Sequence, residues 1–246
     1  MPTCALRSIG VRLGSEARDN AWYQQHRPAE FAAETERGLA RAFQRADGTA
    51  ASRGFDDAMA AYLSDPFRGA RLRHVLAPGE TCLGLELAAA QDALDAAGLR
   101  AGDLDVILCA SWLPERFVAP GDAVFLARAL GVEIPAWNLE TACSSALALL
   151  QVAEGLLAAG SYRRALLVCS STNSRQTDDT LGWISSDVAA AAVVEAPVGD
   201  EGLLGAMMVY TAATCGVFEN ALEAVDGRGV VRRRVGAEGA RALREP

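Results

Sequence analysis

Cys143 is the residue whose type and position best suit nucleophilic chemistry. It stands in the run Glu140-Thr141-Ala142-Cys143-Ser144-Ser145, where a short predicted strand gives way to a predicted helix. A thiol at a helix start faces backbone amide donors and the positive end of the helix dipole, which favour the nucleophilic thiolate. Small neighbours leave space for an incoming carbonyl. The local sequence leaves a second interpretation open, because a helix-start cysteine is also common as a packed small residue.

The other cysteines and the histidines are weaker candidates for chemistry. Cys109 and Cys169 fall inside predicted apolar strands, so we interpret them as buried small hydrophobic residues, and the remaining three cysteines give no stronger signal. All six cysteines stand singly, and there are only two histidines, His26 and His74. Zinc sites built from cysteine pairs and histidines have ligands only a few residues apart in the sequence, and these residues are farther apart than that. The sequence therefore predicts neither a metal nor a cofactor.

Composition narrows the class of protein. The 246 residues are 51% hydrophobic and 22% charged, with a formal net charge of −8 and arginine as the only strongly basic residue type. These values are typical of a globular protein and exclude disorder and a disulfide-rich knot. We interpret the one basic cluster, Arg232 to Arg234, as a solvated turn, so no nucleic-acid partner is expected. Without a signal peptide or a long apolar segment, we expect a cytoplasmic location and no membrane partner.

The elements that must position Cys143 alternate between strands and helices. The pattern predicts strands over 4–13, 104–110, 136–139 and 165–170, and helices over 80–97, 121–130 and 144–159. Such alternation predicts crossover connections and a mainly parallel sheet with helices on both faces. Two further apolar runs, 188–194 and 204–211, are predicted to pair as an antiparallel hairpin. Residues 15–73 are predicted to form short helices and loops, and 237–244 a helical fragment.

Several of these features, taken in order, resemble a known family. They are the helix over 80–97, the strand ending in Cys109-Ala110-Ser111, the Val118-Ala119-Pro120 turn, the run around Cys143, and the strand over 165–171. Over residues 77–194 they are similar to the N-terminal half of the thiolase-fold condensing enzymes, within them to the ketoacyl-synthase III (3-oxoacyl-ACP synthase III) group. The resemblance implies an α/β fold, thiolase-like, layered α/β/α with a mixed, mainly parallel sheet. It divides the chain into an N-terminal half over 1–196 that carries the nucleophile and the start of an incomplete C-terminal half over 197–246.

The resemblance also implies a function. Cys143 would accept an acyl group from a coenzyme A or acyl-carrier-protein thioester, and its own amide would form half of an oxyanion hole. A malonyl carbanion, an alcohol or an amine would then take the acyl group, in fatty-acid-like or polyketide biosynthesis. Trp112 and Phe117 lie in the segment that, in the family, reaches the partner's acyl pocket, so they are candidate substrate-binding residues. Ordinary packing of both side chains is the alternative.

The departures from the family pattern suggest a partner. No histidine follows His74, and the family's histidine, asparagine and Gly-rich loop would lie in the missing half. By analogy with the family we expect a homodimer, and the departures add the alternative of a heteromer with a chain that supplies the histidine and asparagine. The family's Gly-Asp-Gly reads Ser186-Asp187-Val188, with Asp187 interpreted as a turn residue, and its Arg-Gly reads Leu181-Gly182.

Two alternatives to an enzyme stay open at this point. One is a non-catalytic thiolase-fold subunit that binds a condensing partner or an acyl carrier protein. The other is an incomplete reading frame whose half-fold exposes apolar surface.

Overall fold

A five-stranded sheet carries the residues of interest. The computed structural model describes residues 3–43, 59–60, 62, 64–114, 120–175, 181–197, 199, 202–209, 219–225 and 228–234. The strands are β1 (Ala5–Leu13), β2 (Glu16–Asp19), β3 (Leu72–Val75), β4 (Val106–Trp112), β5 (Ala136–Asn138), β6 (Arg164–Ser171), β7 (Val188–Glu195), β8 (Glu219–Val225) and β9 (Arg228–Arg234). The helices are α1 (Asn20–His26), α2 (Pro28–Phe43), α3 (Cys82–Ala97), α4 (Asp122–Leu130), α5 (Ser145–Ala158) and α6 (Leu181–Ile184).

The order of strands in the main sheet is β1-β7-β6-β4-β5, and β2–β3 and β8–β9 form two small two-stranded sheets. β4 runs parallel to both β5 and β6, whereas β7 runs antiparallel to both β6 and β1. The sheet is therefore mixed, as predicted, but it is not mainly parallel, since two of its four pairings are antiparallel. Its parallel part lies on the side of Cys143. Because parallel strands end at the same edge, the segments that follow β4, β5 and β6 meet at one edge of the sheet.

The chain divides into two compact units. The first holds the main sheet and comprises Met1–Ala17, His74–Arg175 and Ser186–Met207. The second comprises Arg18–Arg73, Gln176–Ser185 and Met208–Pro246. The predicted division at residue 196 stays a prediction, since much of 197–246, including the predicted helical fragment over 237–244, lies outside the described residues.

Helices cover both faces of the sheet, as the alternating pattern predicts. α3 and α4 pack on one face, around Leu94, Ile107 and Leu126. α5 packs on the other, around Leu108 and Leu149. Both clusters consist of side chains removed from water, so burial of apolar surface holds the helices on the sheet.

Both ends of α3 follow from local sequence. Thr81 caps the helix by accepting a hydrogen bond from the Gly84 amide at 3.0 Å. Gly98 ends it in the left-handed conformation, with φ 68°. The apolar face differs from the sequence pattern, however, because the side chain of Glu86 is buried there.

The predicted hairpin between 188–194 and 204–211 is wrong. β7 is paired along both edges, with β1 on one side and β6 on the other, so neither edge is open to a further strand. Residues 204–209 form no strand, and Leu204, Met207 and Val209 are more than four-fifths exposed. The apolar run predicted a strand, but its partner positions are taken by β1 from the other end of the chain.

The second unit centres on a buried arginine. Arg73 is 1% exposed. Its guanidinium carbon lies 5.0 Å from the ring centroid of Tyr23 and 4.7 Å from that of Phe67. It donates hydrogen bonds to the Trp183 carbonyl and to Asn20 Oδ1. Aromatic faces and these acceptors together stabilise a cation that is shielded from water.

His74 lies in a strand, just after the stretch predicted to form short helices and loops. It belongs to β3, and its ring Nδ1 lies 3.2 Å from the Gly14 carbonyl oxygen.

Among the described residues, no helix has the length and apolar character needed to cross a membrane.

Leu149 tests how strongly α5 is held to the sheet. This side chain is fully buried, whereas Leu147 on the same helix is 68% exposed. We expect Leu149→Ala to lower the free energy of unfolding by about 3 kcal/mol, because it leaves a cavity in the core. Leu147→Ala is the matched control and should change it by less than about 0.5 kcal/mol. Urea denaturation measures both, and equal effects would contradict the packing described.

Candidate active site

Cys143 lies in a single 3₁₀ turn, Ala142–Ser144, between the end of β5 and the start of α5. β5 is held beside β4 by a parallel ladder in which Asn138 pairs with Cys109. The Leu139 amide then donates to the Cys109 carbonyl at 2.9 Å, which extends the attachment one residue beyond the strand. The chain is therefore attached to the sheet, beside β4, immediately before the thiol.

A carboxylate and a hydroxyl organise the turn. Glu140 Oε1 accepts from the Ala142 amide at 2.6 Å and from Ser145 Oγ at 2.8 Å. Ser145 Oγ in turn accepts from the Thr141 amide at 2.9 Å. Ser144 Oγ donates to the Thr141 carbonyl at 2.9 Å. These bonds close the turn around Cys143 just before α5 begins at Ser145.

Ala142, the residue before the thiol, has an uncommon backbone conformation. Its φ is +54°, in the left-handed region. A residue with a Cβ pays about 1 kcal/mol or more for this conformation. The Glu140 hydrogen bond to its amide helps to hold the residue there. Such strain is common where a side chain must be presented in one direction, and here that side chain is Cys143.

Exposure separates Cys143 from the other described cysteines. Cys143 is exposed, Cys4, Cys82 and Cys109 are buried, and Cys169 is half-buried. The structural interpretation of Cys109 is confirmed, since its side chain is fully buried within β4. Cys215 lies outside the described residues. Cys143 is thus the one thiol, among these five, that a bulky reagent reaches without local unfolding.

Burial also makes the other thiols poor nucleophiles. Burial, with a smaller contribution from the nearby Glu86, raises the pKa of Cys82 to about 12. The same two causes raise the pKa of Cys109 well above its ordinary value. The pKa values of Cys4 and Cys169 are also raised, chiefly by burial. A raised pKa lowers the thiolate fraction at neutral pH, and the thiolate is the reactive form.

Trp112 and Phe117 are only partly placed. Trp112 is the last residue of β4, and its half-buried side chain lies at the edge where β4, β5 and β6 end. This is the edge that also carries the Cys143 turn. Phe117 lies outside the described residues, as does the rest of 115–119. The assignment of both side chains to a substrate site stays a prediction.

Asp187 joins three segments of the first unit. Its Oδ2 accepts from the Leu76 amide at 2.8 Å and its Oδ1 accepts from the Ser174 amide at 2.9 Å. Ser174 Oγ also donates to this carboxylate. The Asp187 amide donates to the His74 carbonyl at 2.7 Å. The side chain is fully buried, so these contacts favour the interpretation of Asp187 as a residue that fixes loops.

Two groups of polar residues in the first unit give no clear signal in the sequence. One is Glu140, whose signal was an acidic residue close before the candidate nucleophile. The other is Cys82, Glu86 and Asp122, whose side chains meet inside the first unit. The four-residue spacing of Cys82 and Glu86 places them on one helical face, but the aliphatic residues around them dominated the pattern.

Alkylation tests the exposure of the thiols. We expect iodoacetamide at about pH 8 to modify Cys143 in the folded protein and to leave Cys82 unmodified. With a pKa of about 12, Cys82 is thiolate in about one molecule in ten thousand at that pH. Each unit by which the pH is raised increases this thiolate fraction about tenfold. Unfolding the protein should expose Cys82 and allow its modification.

Peptide mapping by mass spectrometry measures this pattern, with Cys143→Ser as the control that removes the early label. Modification of Cys82 or Cys109 before Cys143 would show that the burial described is wrong.

Comparisons with known proteins agree on one group. The profile of the family described as 3-oxoacyl-[acyl-carrier-protein (ACP)] synthase III matches residues 137–211, which include Cys143. A β-ketoacyl-[acyl-carrier-protein] synthase III from Brucella abortus (strain S19) is 35% identical over 147 residues, which are 56% of this chain and 45% of that protein. The chain spans about half the length of the curated relatives it matches.

Solved structures extend the likeness to the fold. The 3-oxoacyl-[acyl-carrier-protein] synthase III from Aquifex aeolicus VF5 superposes with a TM-score of 0.67 at 19% identity, over 93% of this chain and 64% of that one. The priming β-ketosynthase from the R1128 polyketide biosynthetic pathway superposes with a TM-score of 0.58 at 20% identity, over 79% and 50% respectively. These likenesses confirm the predicted thiolase-like α/β fold. The sequence matches identify the ketoacyl-synthase III group as the one that this chain is similar to.

Proposed function

We propose that this chain acts in acyl-thioester chemistry of the ketoacyl-synthase III type, with Cys143 as the residue that accepts the acyl group. The observation that carries the proposal is the exposure of Cys143 on a hydrogen-bonded turn between β5 and α5. The turn lies at the carboxyl ends of parallel strands, where α/β proteins commonly bind ligands. It also lies within the stretch that matches the synthase III family.

The first chemical step is an acyl transfer to sulfur. The Cys143 thiolate attacks the carbonyl carbon of a coenzyme A or acyl-carrier-protein thioester, and the carbonyl electron pair moves onto oxygen. The tetrahedral intermediate collapses with cleavage of the original C–S bond, and the departing thiolate takes a proton. The product is an acyl thioester on Cys143. Because the intermediate carries negative charge on oxygen, we assign the Cys143 backbone amide as one of its hydrogen-bond donors.

The second step passes the acyl group on. A carbanion formed by decarboxylation of a malonyl thioester, or an alcohol or amine, attacks the Cys143 thioester and releases the thiolate. Splitting the transfer into two steps avoids a direct encounter of two thioesters. The relatives that carry the names synthase III and priming β-ketosynthase support placement in fatty-acid-like or polyketide biosynthesis.

Glu140 is a positioning residue in this proposal. Its carboxylate binds the amide of Ala142 and the hydroxyl of Ser145, the residues on either side of the Cys143–Ser144 pair. It therefore acts on the direction of the thiol and of the neighbouring amides, rather than on the substrate. Placing the nucleophile correctly to within a fraction of an ångström increases the rate of the acyl transfer by a large factor.

We also propose that the active unit contains a second chain. Trp137 on the edge strand β5 is 44% exposed, beside the strand that carries Cys109. On the opposite edge strand, β1, the side chains of Leu6 and Ile9 are 58% and 57% exposed. Large exposed apolar side chains on sheet edges are typical of interfaces. A second copy, or a chain that supplies a histidine and an asparagine, is the partner that the family resemblance implies.

The same apolar edges favour a second candidate function, a non-catalytic subunit that binds a condensing enzyme or an acyl carrier protein. The two functions differ in what the purified chain does with a thioester. A chain that stays inert and co-purifies with a condensing enzyme supports the subunit function, whereas turnover by the chain alone refutes it.

Acylation is the direct test of Cys143. We expect incubation with an acyl-coenzyme A to add the mass of one acyl group, because the exposed thiol exchanges with the thioester. The adduct should be absent from Cys143→Ala and retained in Cys169→Ala, which removes the half-buried thiol instead. Intact-mass spectrometry measures both. An unmodified native chain, or an adduct that persists in Cys143→Ala, rules out the proposed role.

Glu140 is tested by two substitutions of different size. We expect Glu140→Ala to slow acylation of Cys143 about tenfold, which corresponds to about 1.4 kcal/mol, because the turn loses its acceptor. Glu140→Gln keeps an oxygen at that position and should stay within about twofold of the native rate. Timed intact-mass measurements give both rates. Equal rates for the alanine variant and the native chain would show that Glu140 does not position the thiol.

A further inference from the structure

Three side chains with metal-binding atoms meet inside the first unit. Cys82 and Glu86 lie on one face of α3, four residues apart, and Asp122 is the first residue of α4. Their ligand atoms, one sulfur and two carboxyl oxygens, all lie within 4.8 Å of one another. All three side chains are 0% exposed. We call these residues the thiol–carboxyl cluster.

The carboxyl group of Glu86 is satisfied on one side only. Its Oε1 accepts from Ser170 Oγ at 2.6 Å and from Ser111 Oγ. The Cys82 thiol also lies 3.6 Å from this oxygen. Glu86 Oε2 has no hydrogen-bond partner among the described residues, although it is buried with the rest of the side chain. A fully buried carboxyl oxygen without a partner points to a missing group, since such oxygens are nearly always bound.

We propose that the thiol–carboxyl cluster is a binding site for a divalent transition metal ion, zinc in the first place. Cys82, Glu86 and Asp122 each lose a proton to solvent and supply one ligand, so that three anionic ligands face a dication. A sulfur ligand selects zinc-like ions over magnesium and calcium, which take oxygen ligands. Ser111 and Ser170 hold the Glu86 carboxyl through Oε1, which leaves Oε2 to the metal. Hydrogen bonds of this kind commonly orient metal-binding carboxylates.

The spacing of the cluster fits zinc. With Zn–S near 2.3 Å and Zn–O near 2.1 Å, a tetrahedral site has sulfur and oxygen roughly 3.5 Å apart. Cys82 Sγ lies 3.6 Å from Oε1 of the Glu86 carboxyl, and the ligand atoms of all three side chains lie within 4.8 Å of one another, so small side-chain movements bring Oε2 and its neighbours to this spacing. Ser170 Oγ, 3.2 Å from Cys82 Sγ, lies close enough to contribute to the fourth position.

The location assigns the metal a structural role. The cluster is closed to solvent and joins α3 to the first turn of α4. The next residue of α4, Ala123, donates its amide to Asn138 Oδ1 at 3.0 Å, and Asn138 is the last residue of β5 before the Cys143 turn. The metal would therefore stabilise the elements behind the turn without contacting a substrate. Paired cysteines and histidines are the usual sequence signal for zinc, and the two carboxylates of this cluster fall outside that pattern.

Metal content and cobalt spectroscopy test the site. The full chain, purified without chelators, is expected to contain stoichiometric zinc by elemental mass spectrometry. Chelator treatment should lower the melting temperature, and added zinc should restore it. Cobalt added to the metal-free chain should give a sulfur-to-cobalt charge-transfer band in the near ultraviolet. The absence of both bound zinc and a cobalt band would overturn the proposal.

Variants identify the ligands. Cys82→Ser should abolish the charge-transfer band, and Glu86→Gln and Asp122→Asn, which keep the side-chain shape, should each weaken cobalt binding by at least about tenfold. Cys109→Ala is the control, because Cys109 is a buried thiol near Glu86 outside the cluster, and it should bind as the native chain does. Circular dichroism of each metal-free variant reports folding separately. A band that survives in folded Cys82→Ser, or native affinity in both carboxyl variants, would refute the assignment.

Discussion

The parallel pairing of β5 with β4 is the constraint on which the position of Cys143 depends. β5 has only three residues and lies at the edge of the sheet, yet its ladder with β4 and the added Leu139–Cys109 hydrogen bond attach the chain firmly to the sheet just before the thiol. β4 is itself fixed by its seven-residue ladder with β6 and by helices packed on both faces. A reactive group held in this way inherits the rigidity of the sheet, which a loop alone does not provide.

Within that frame, polar bonds do the fine positioning. Glu140 and Ser145 hold a turn whose residue Ala142 takes a left-handed conformation that a side chain resists. The free energy that this conformation costs is small compared with the stabilisation from buried apolar side chains on the surrounding helices, of which Leu149 is one. The fold is therefore stable enough to hold one unfavourable residue at the turn.

The sequence was sufficient for the elements whose signal is local. The cap at Thr81 and the stop at Gly98 bound α3 in the structure as they do in the pattern, because each acts through its own backbone. Apolar runs located β4, β6 and β7 to within about two residues. The position of Cys143 between a strand and a helix also agrees with the pattern, while its role as the nucleophile stays a prediction.

The pairing of strands that are distant in the chain could not be predicted from the sequence. The run over 204–211 has strand composition, but whether it pairs depends on β1, which occupies the free edge of β7 from nearly two hundred residues away. Glu86 was hidden for a related reason, since its burial depends on Ser111 and Ser170, which arrive from two other strands. A local sequence pattern indicates the secondary structure that a residue favours, whereas residues that are distant in the chain determine what its side chain contacts.

The exposure of Cys143 has a consequence for oxidation. A thiol that is open to a thioester is also open to peroxide, which converts a thiolate first to a reversible sulfenic acid and then to an irreversible sulfinic acid. The buried thiols of Cys82 and Cys109 are protected by the packing that also suppresses their ionisation. Among the described cysteines, oxidative damage is therefore concentrated at the proposed nucleophile, and a reducing environment preserves the acyl-accepting thiol and leaves the buried cysteines unaffected.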